Sequence, residues 1–186
     1  MVTTPLVKLC DMRNKLGLAM LLVATASCGD DSPTAPSTVQ VGGVWRGTER
    51  ITAVSGGECF GTFQSMIAAG FPVREFPTSM SITQNGANLD VTATSEEGGN
   101  ATYSGSAGQS TVVLTWVSCA ACNLVGATCP NGAQRDVIKQ SGSVNASVAG
   151  RSMSGTEGEI YNVFVAGTQT SVGTLSLTSS FTFIRQ

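Results

Sequence analysis

Cysteine is the residue type with the most reactive chemistry in this 186-residue chain: six are present, and histidine is absent. Without an imidazole there is no Ser-His-Asp or Cys-His nucleophile, and the commonest metal-binding side chain is missing. Cys59, Cys119, Cys122 and Cys129 fall in two stretches between regular segments. In an exported chain an even number of cysteines reads as disulfides. Of the three possible pairings, Cys59 with Cys119 and Cys122 with Cys129 is the favoured one, because it ties the two stretches together. Cys119-Ala120-Ala121-Cys122 also has the spacing of a redox dithiol. That chemistry needs a thiolate at a helix N-terminus, normally in a βαβ unit, and no such pattern surrounds it. Four cysteines could ligate zinc, but oxidation on export removes the thiolates. Two carboxylate pairs, Glu96-Glu97 and Glu157/Glu159, have the composition for acid–base work. Both sit beside glycine in what read as turns, so they are expected to be hydrated. The expectation is therefore a protein with no catalytic residue, no metal and no cofactor.

The other two cysteines, Cys10 and Cys28, belong to the N-terminus. Leu16–Ala26 is the one long apolar run free of charge, with Arg13 and Lys15 ahead of it. At about 1.5 Å per residue it is too short to cross a hydrocarbon core of roughly 30 Å, but it has the length of a signal-peptide apolar region. Asp11 interrupts the basic stretch, and Cys10 precedes it. Starting at Met12 the segment reads as an ordinary signal, so translation is expected to begin there.

Thr25-Ala26-Ser27-Cys28 resembles the lipobox of bacterial lipoproteins, with Thr25 where that family usually carries Leu or Val. The resemblance implies cleavage after residue 27, thioether lipidation of Cys28, and acylation of the new amino terminus with a chain such as palmitate. Several chains hold a protein stably, since each buried methylene contributes about 0.8 kcal/mol. Gly29, rather than Asp, follows the cysteine, which by similarity to enteric lipoproteins favours the outer membrane. Residues 28–40 then form the lipidated cysteine and a flexible tether, rich in Ser, Pro and Thr.

Residues 41–186 are expected to be one domain. Removing residues 1–27 leaves seven Lys/Arg against eleven Asp/Glu, with Lys139 the single lysine. No basic cluster survives, which argues against nucleic acid as a partner. Thr, Ser, Val and Gly dominate and favour strands. Period-two alternation recurs in Val41–Arg50, Ser79–Gln84, Leu89–Thr94, Ala101–Ser106, Thr111–Val117, Gln134–Gln140, Ser143–Ala149, Ser152–Ala166 and Gly173–Arg185. Asn85-Gly86 between two such runs reads as a hairpin turn. Sequential strands with short turns predict an all-β, up-and-down barrel of eight to ten strands, with an immunoglobulin-like sandwich as the alternative. Nine runs conflict with a closed antiparallel meander, which needs an even count.

Gly43-Val44-Trp45 at the start of the first strand resembles the Gly-x-Trp motif of lipocalins and avidins, the calycin barrels. In those families an arginine near the end of the last strand packs across that tryptophan, and Arg185 stands at the matching position. The resemblance implies a role for Gly43, Trp45 and Arg185 in barrel closure, with the cation on the indole face.

In a meander the two longest connections, Thr52–Pro77 and Ser118–Ala133, lie at one end, opposite the short turns at Asn85-Gly86 and Ala107–Ser110. Binding chemistry is expected at that rim. Thr62–Ala69 should be a short helix capped by Thr62. With Phe60, Phe63, Met66, Ile67 and Phe71 it forms an apolar group able to fold over the barrel mouth. The function expected is a membrane-anchored, non-enzymatic envelope lipoprotein holding a small apolar ligand under this lid. The alternative is a structural or protein-interaction lipoprotein, with the same residues plugging a filled barrel.

Overall fold

The computed structural model describes residues 37–57, 60–68, 75–95, 99–120 and 125–186. The signal segment, Cys28, most of the tether, Cys59, Phe71, Glu96-Glu97 and Cys122 lie outside them.

Among the described residues, valine-, threonine- and serine-rich alternation folds as nine antiparallel strands and one short helix. These are β1 (Gly43–Gly56), α1 (Phe63–Ala68), β2 (Glu75–Asn85), β3 (Asn88–Ser95), β4 (Asn100–Ala107), β5 (Thr111–Ala120), β6 (Val125–Thr128), β7 (Gln134–Ala149), β8 (Ser152–Val165) and β9 (Ser171–Arg185). Consecutive strands pair from β1 to β5 and from β6 to β9, β9 returns to β1, and β5 pairs with β7 instead of β6, so eight strands close a barrel and β6 stands outside the ring against β7. The barrel replaces the immunoglobulin-like alternative, because both edges of the meander are paired.

The even count is restored by one correction. Gln134–Gln140 and Ser143–Ala149 are a single strand, β7, with a bulge at Gln140: Lys139 pairs with Tyr161 but Ser141 pairs with Ile160. An extra residue in a strand inverts which parity faces inward. Val137 and Lys139 point in before the bulge, and Val144, Ala146 and Val148 after it. The phase slip mimics a strand boundary. The fifth connection also holds the short strand β6, and the first begins after Gly56 rather than at Thr52 and ends before Glu75. Asn85 is the last residue of β2 and pairs with Asn88, leaving Gly86 and Ala87 as the turn, with Gly86 at φ 61°.

The base of the barrel carries the tight turns and is sealed by the chain entering β1. Gln84 Oε1 accepts from the Val41 and Gly42 amides at 2.7 and 3.2 Å, and Gln84 Nε2 donates to the Val39 and Gly86 carbonyls. Trp45 is fully buried and its Nε1 donates to the Val41 carbonyl at 2.7 Å. Trp45 and Arg185 are direct cross-strand partners. The Arg185 guanidinium donates to the carbonyls of Gln40 (3.1 Å) and Gly42. Arg185 therefore fastens main chain across the base, whereas the cation lying over aromatic rings among the described residues is Lys139. Gly43, at φ 121°, brings its backbone under Arg185, where a Cβ would lie 3.4 Å from Nε.

Inward side chains form two apolar clusters. The basal one is built on Trp45, Met80, Leu89, Leu114, Phe181 and Phe183; the upper one on Ile51, Phe60, Met66, Val137, Leu175 and Leu177.

Candidate functional site: a charged belt inside the barrel

Between the two clusters the barrel interior is polar. Alternation on β1 that buries Trp45 and Ile51 also turns Glu49 inward, and the same parity on β8 buries Glu157 and turns Glu159 to the same side. β4 contributes Tyr103, β5 contributes Trp116, β7 contributes Lys139, and β9 contributes Ser179. Glu157 and Ser179 are cross-strand partners, as are Tyr103 and Trp116.

Lys139 is the hub. Its Nζ donates to Glu157 Oε1 at 3.2 Å, to Glu159 Oε1, and to the Tyr103 hydroxyl at 3.4 Å. Tyr103 in turn donates to Glu157 Oε1 at 2.7 Å. The ammonium lies 5.5 Å from the Tyr103 ring centroid and 5.8 Å from that of Trp116. Gly142, just after the β7 bulge, leaves room for this packing: a Cβ there would stand 3.2 Å from both Lys139 Cε and Trp116 Cβ. The bulge and the glycine together let a lysine pack inside the barrel against Tyr103 and Trp116.

Three carboxyls share this one ammonium. Burial, reinforced by the Glu157 and Glu159 charges, pushes the Glu49 carboxyl up to about 8. Burial and the neighbouring Glu159 likewise push Glu157 up to about 7, against the pull of Lys139 and the Tyr103 hydroxyl. For Lys139 burial favours the neutral amine, but Glu159 and Glu157 outweigh it and its pKa ends above the usual lysine value. Burial, then the carboxylates of this group, keep the Tyr103 and Tyr161 phenols neutral far above their ordinary pKa. At neutral pH the belt therefore holds protons that water-exposed carboxyls would have lost. Ser179 lies beside Glu49 and favours its charged form, but closes no hydrogen bond of acceptable geometry. The Oγ atoms of Ser179 and Thr78 and Nε1 of Trp116 are buried without a hydrogen-bond partner among the described residues.

The ladder between β5 and β7 ends at the pair Thr115–Ser143, and a further bulge at Val117 rephases β5 so that Cys119 turns inward. Trp116 and Lys139 sit where this seam parts.

Glu157 and Glu159 are thus strand residues inside the barrel, and not the hydrated turn expected from their glycine neighbours. Gly155 and Gly158 are themselves part of β8. Glu49 and Tyr103 received no assignment from the sequence, although Glu49 shares the period-two face of Trp45 and Ile51. Cys119 and Cys129 are both buried and disulfide-bonded. Among the described residues no group of His, Cys, Asp and Glu is arranged to hold a metal ion. At the rim, Thr62 caps α1: the Ser65 amide donates to Thr62 Oγ1 at 3.1 Å and the Thr62 amide to Ser65 Oγ at 2.9 Å. Phe60 and Met66 are fully buried in the upper cluster, while Ile67 is exposed. A groove of about 420 Å³ lies on the outer wall, lined by Thr111, Val113, Asn145, Ser147, Ser154 and Thr156 among others. In comparison with known proteins, no family model, no curated protein and no solved structure matches this chain.

Proposed function

We propose that this chain is a lipid-anchored, non-enzymatic protein of the bacterial envelope, with a filled barrel that serves a structural or protein-interaction role. The observation that carries the reading is the succession of buried side chains along the interior. Basal apolar residues, the Lys139 belt and the upper cluster succeed one another, and Phe60 and Met66 act as a stopper. An anchored rather than spanning barrel fits the outer wall, where β9 presents Thr174, Ser176, Thr178, Ser180 and Thr182 instead of an apolar band. Lipidation at Cys28 accounts for the anchor and for an oxidising compartment in which cysteines pair. Outer-membrane residence follows from Gly29 after the cysteine. The long connections at the rim are the surface offered to an envelope partner.

A second reading, a small ligand held inside the barrel, is favoured by one observation. Ser179 Oγ beside Glu49, Thr78 Oγ1 on β2, and Trp116 Nε1 near the place where the seam parts are buried polar atoms with no hydrogen-bond partner among the described residues. Native mass spectrometry of the Cys28→Ala chain, purified from its own host, separates the two. A mass with no releasable component supports the filled barrel; a reproducible extra mass lost on denaturation overturns it in favour of the ligand. Acyl labelling tests the anchor, which is wrong if Cys28→Ala protein still incorporates labelled palmitate.

A further inference from the structure

We propose that Lys139 and Glu159 condense to an intramolecular isopeptide bond, which locks β7 to β8 inside the barrel. The inference is independent of the anchor and of what the rim binds.

Three features place the reacting atoms. Lys139 pairs directly with Tyr161, so Glu159, two residues earlier on the same face of β8, is its diagonal neighbour. Its Nζ is already hydrogen-bonded to Oε1 of Glu159, one bond from the carbon it would attack, and no strand has to move. The Lys139 and Glu159 side chains are only 5% and 14% exposed, and the rings of Tyr103 and Trp116 flank the amine. Holding two reactants in contact in this way gives effective concentrations that no bimolecular encounter reaches.

The step balances without a co-reactant. The Lys139 ammonium passes one proton across its hydrogen bond to the Glu159 carboxylate, giving a neutral amine and a neutral acid. The Nζ lone pair then forms a bond to Cδ of Glu159, and the carbonyl electrons move onto oxygen. Glu157, bonded to the same Nζ and to the Tyr103 hydroxyl, takes the second amine proton and delivers it to the departing hydroxyl. The Cδ–O bond breaks, water leaves and Glu157 ends as it began. The product is a neutral amide in place of a buried ion pair, whose desolvation is costly. Exclusion of water from the interior favours the condensed side.

The intact mass of the reduced and denatured Cys28→Ala chain tests this without any further substitution. The expected result is a mass lower by one water than the sequence requires. Tryptic digestion should leave Lys139 uncleaved and yield peptide 136–151 joined to peptide 152–185. The full sequence mass, with free cleavage after Lys139, would leave an ordinary buried salt bridge and overturn the proposal. K139R, checked for a folded barrel by circular dichroism, should regain the full mass; a missing water that persists in it overturns the assignment as well. E157Q should form the bond about 100-fold more slowly in pulse-chase mass measurements, the scale of losing a positioned general acid–base.

Discussion

Replacing Glu49 by glutamine should remove a pH dependence that the wild-type barrel carries. Glu49 is almost wholly buried on β1, with Glu157 and Glu159 adding repulsion, Lys139 attraction, and Ser179 beside it. Its carboxyl is raised from the ordinary 4.5 to about 8. The folded state therefore binds a proton that the unfolded chain has released throughout that interval. The contribution of this group is fully present below pH 4.5 and is lost progressively as pH rises through about 8. At 1.36 kcal/mol per pH unit the whole window amounts to about 5 kcal/mol. That is comparable with the net stability of a small domain. Glu157, raised to about 7 for similar reasons, adds to the same slope, while Lys139 stays charged across it in chains where it has not condensed with Glu159. In E49Q the burial of a neutral amide replaces the burial of an acid, so the slope falls and the variant gains on wild type as pH rises. Urea unfolding of the Cys28→Ala chain, followed by the fluorescence of Trp45 and Trp116 with disulfides intact, measures this between pH 5 and 9. Wild type should lose several kcal/mol across that range and E49Q markedly less. Equal slopes, or a wild-type barrel more stable at pH 9 than at pH 5, would refute the reasoning.

If the rim segment is a stopper and not a loose cover, its buried side chains must matter to the whole fold. Phe60→Ala should cost about 3–5 kcal/mol and Met66→Ala about 2–5 kcal/mol in urea unfolding. Losses below about 1 kcal/mol would show a segment that lifts without unfolding the barrel. Gly43→Ala forces a Cβ into a backbone at φ 121° beneath Arg185 and should cost about 1–3 kcal/mol, read as a lowered urea midpoint. Gly142→Ala crowds Lys139 Cε, Trp116 Cβ and Glu157 Oε1; it should destabilise by about 1–3 kcal/mol and change the Trp116 emission. An unchanged spectrum would mean that the lysine does not pack against Trp116 at that glycine.

Much of this fold can be read from alternation. The period-two runs locate the strands, and their turns place both long connections at one end. Trp45 and Arg185 have parities that point them both inward, and they are indeed cross-strand partners. The cation–π contact expected between them is replaced by bonds to main-chain carbonyls, because the chain preceding β1 folds across the base. The bulge at Gln140 hid a continuous strand, since an extra residue inverts the pattern on which a strand is recognised. Glu157 and Glu159 were misread through their glycine neighbours, although their spacing of two puts both on one face of a strand.

The sequence by itself determines which side chains share a face within an unbroken strand, because parity along a strand is local. It also carries the lipobox-like cysteine, the lone domain lysine, and the absence of histidine. Only the tertiary structure decides which inward residues meet. Glu49, Tyr103, Lys139 and Glu157 come from four strands far apart in sequence, and their shared height depends on closure register and on bulges at Val117 and Gln140. Their charge states depend on it too: desolvation belongs to the closed barrel, and an isolated strand carrying the same glutamates would titrate as if in water.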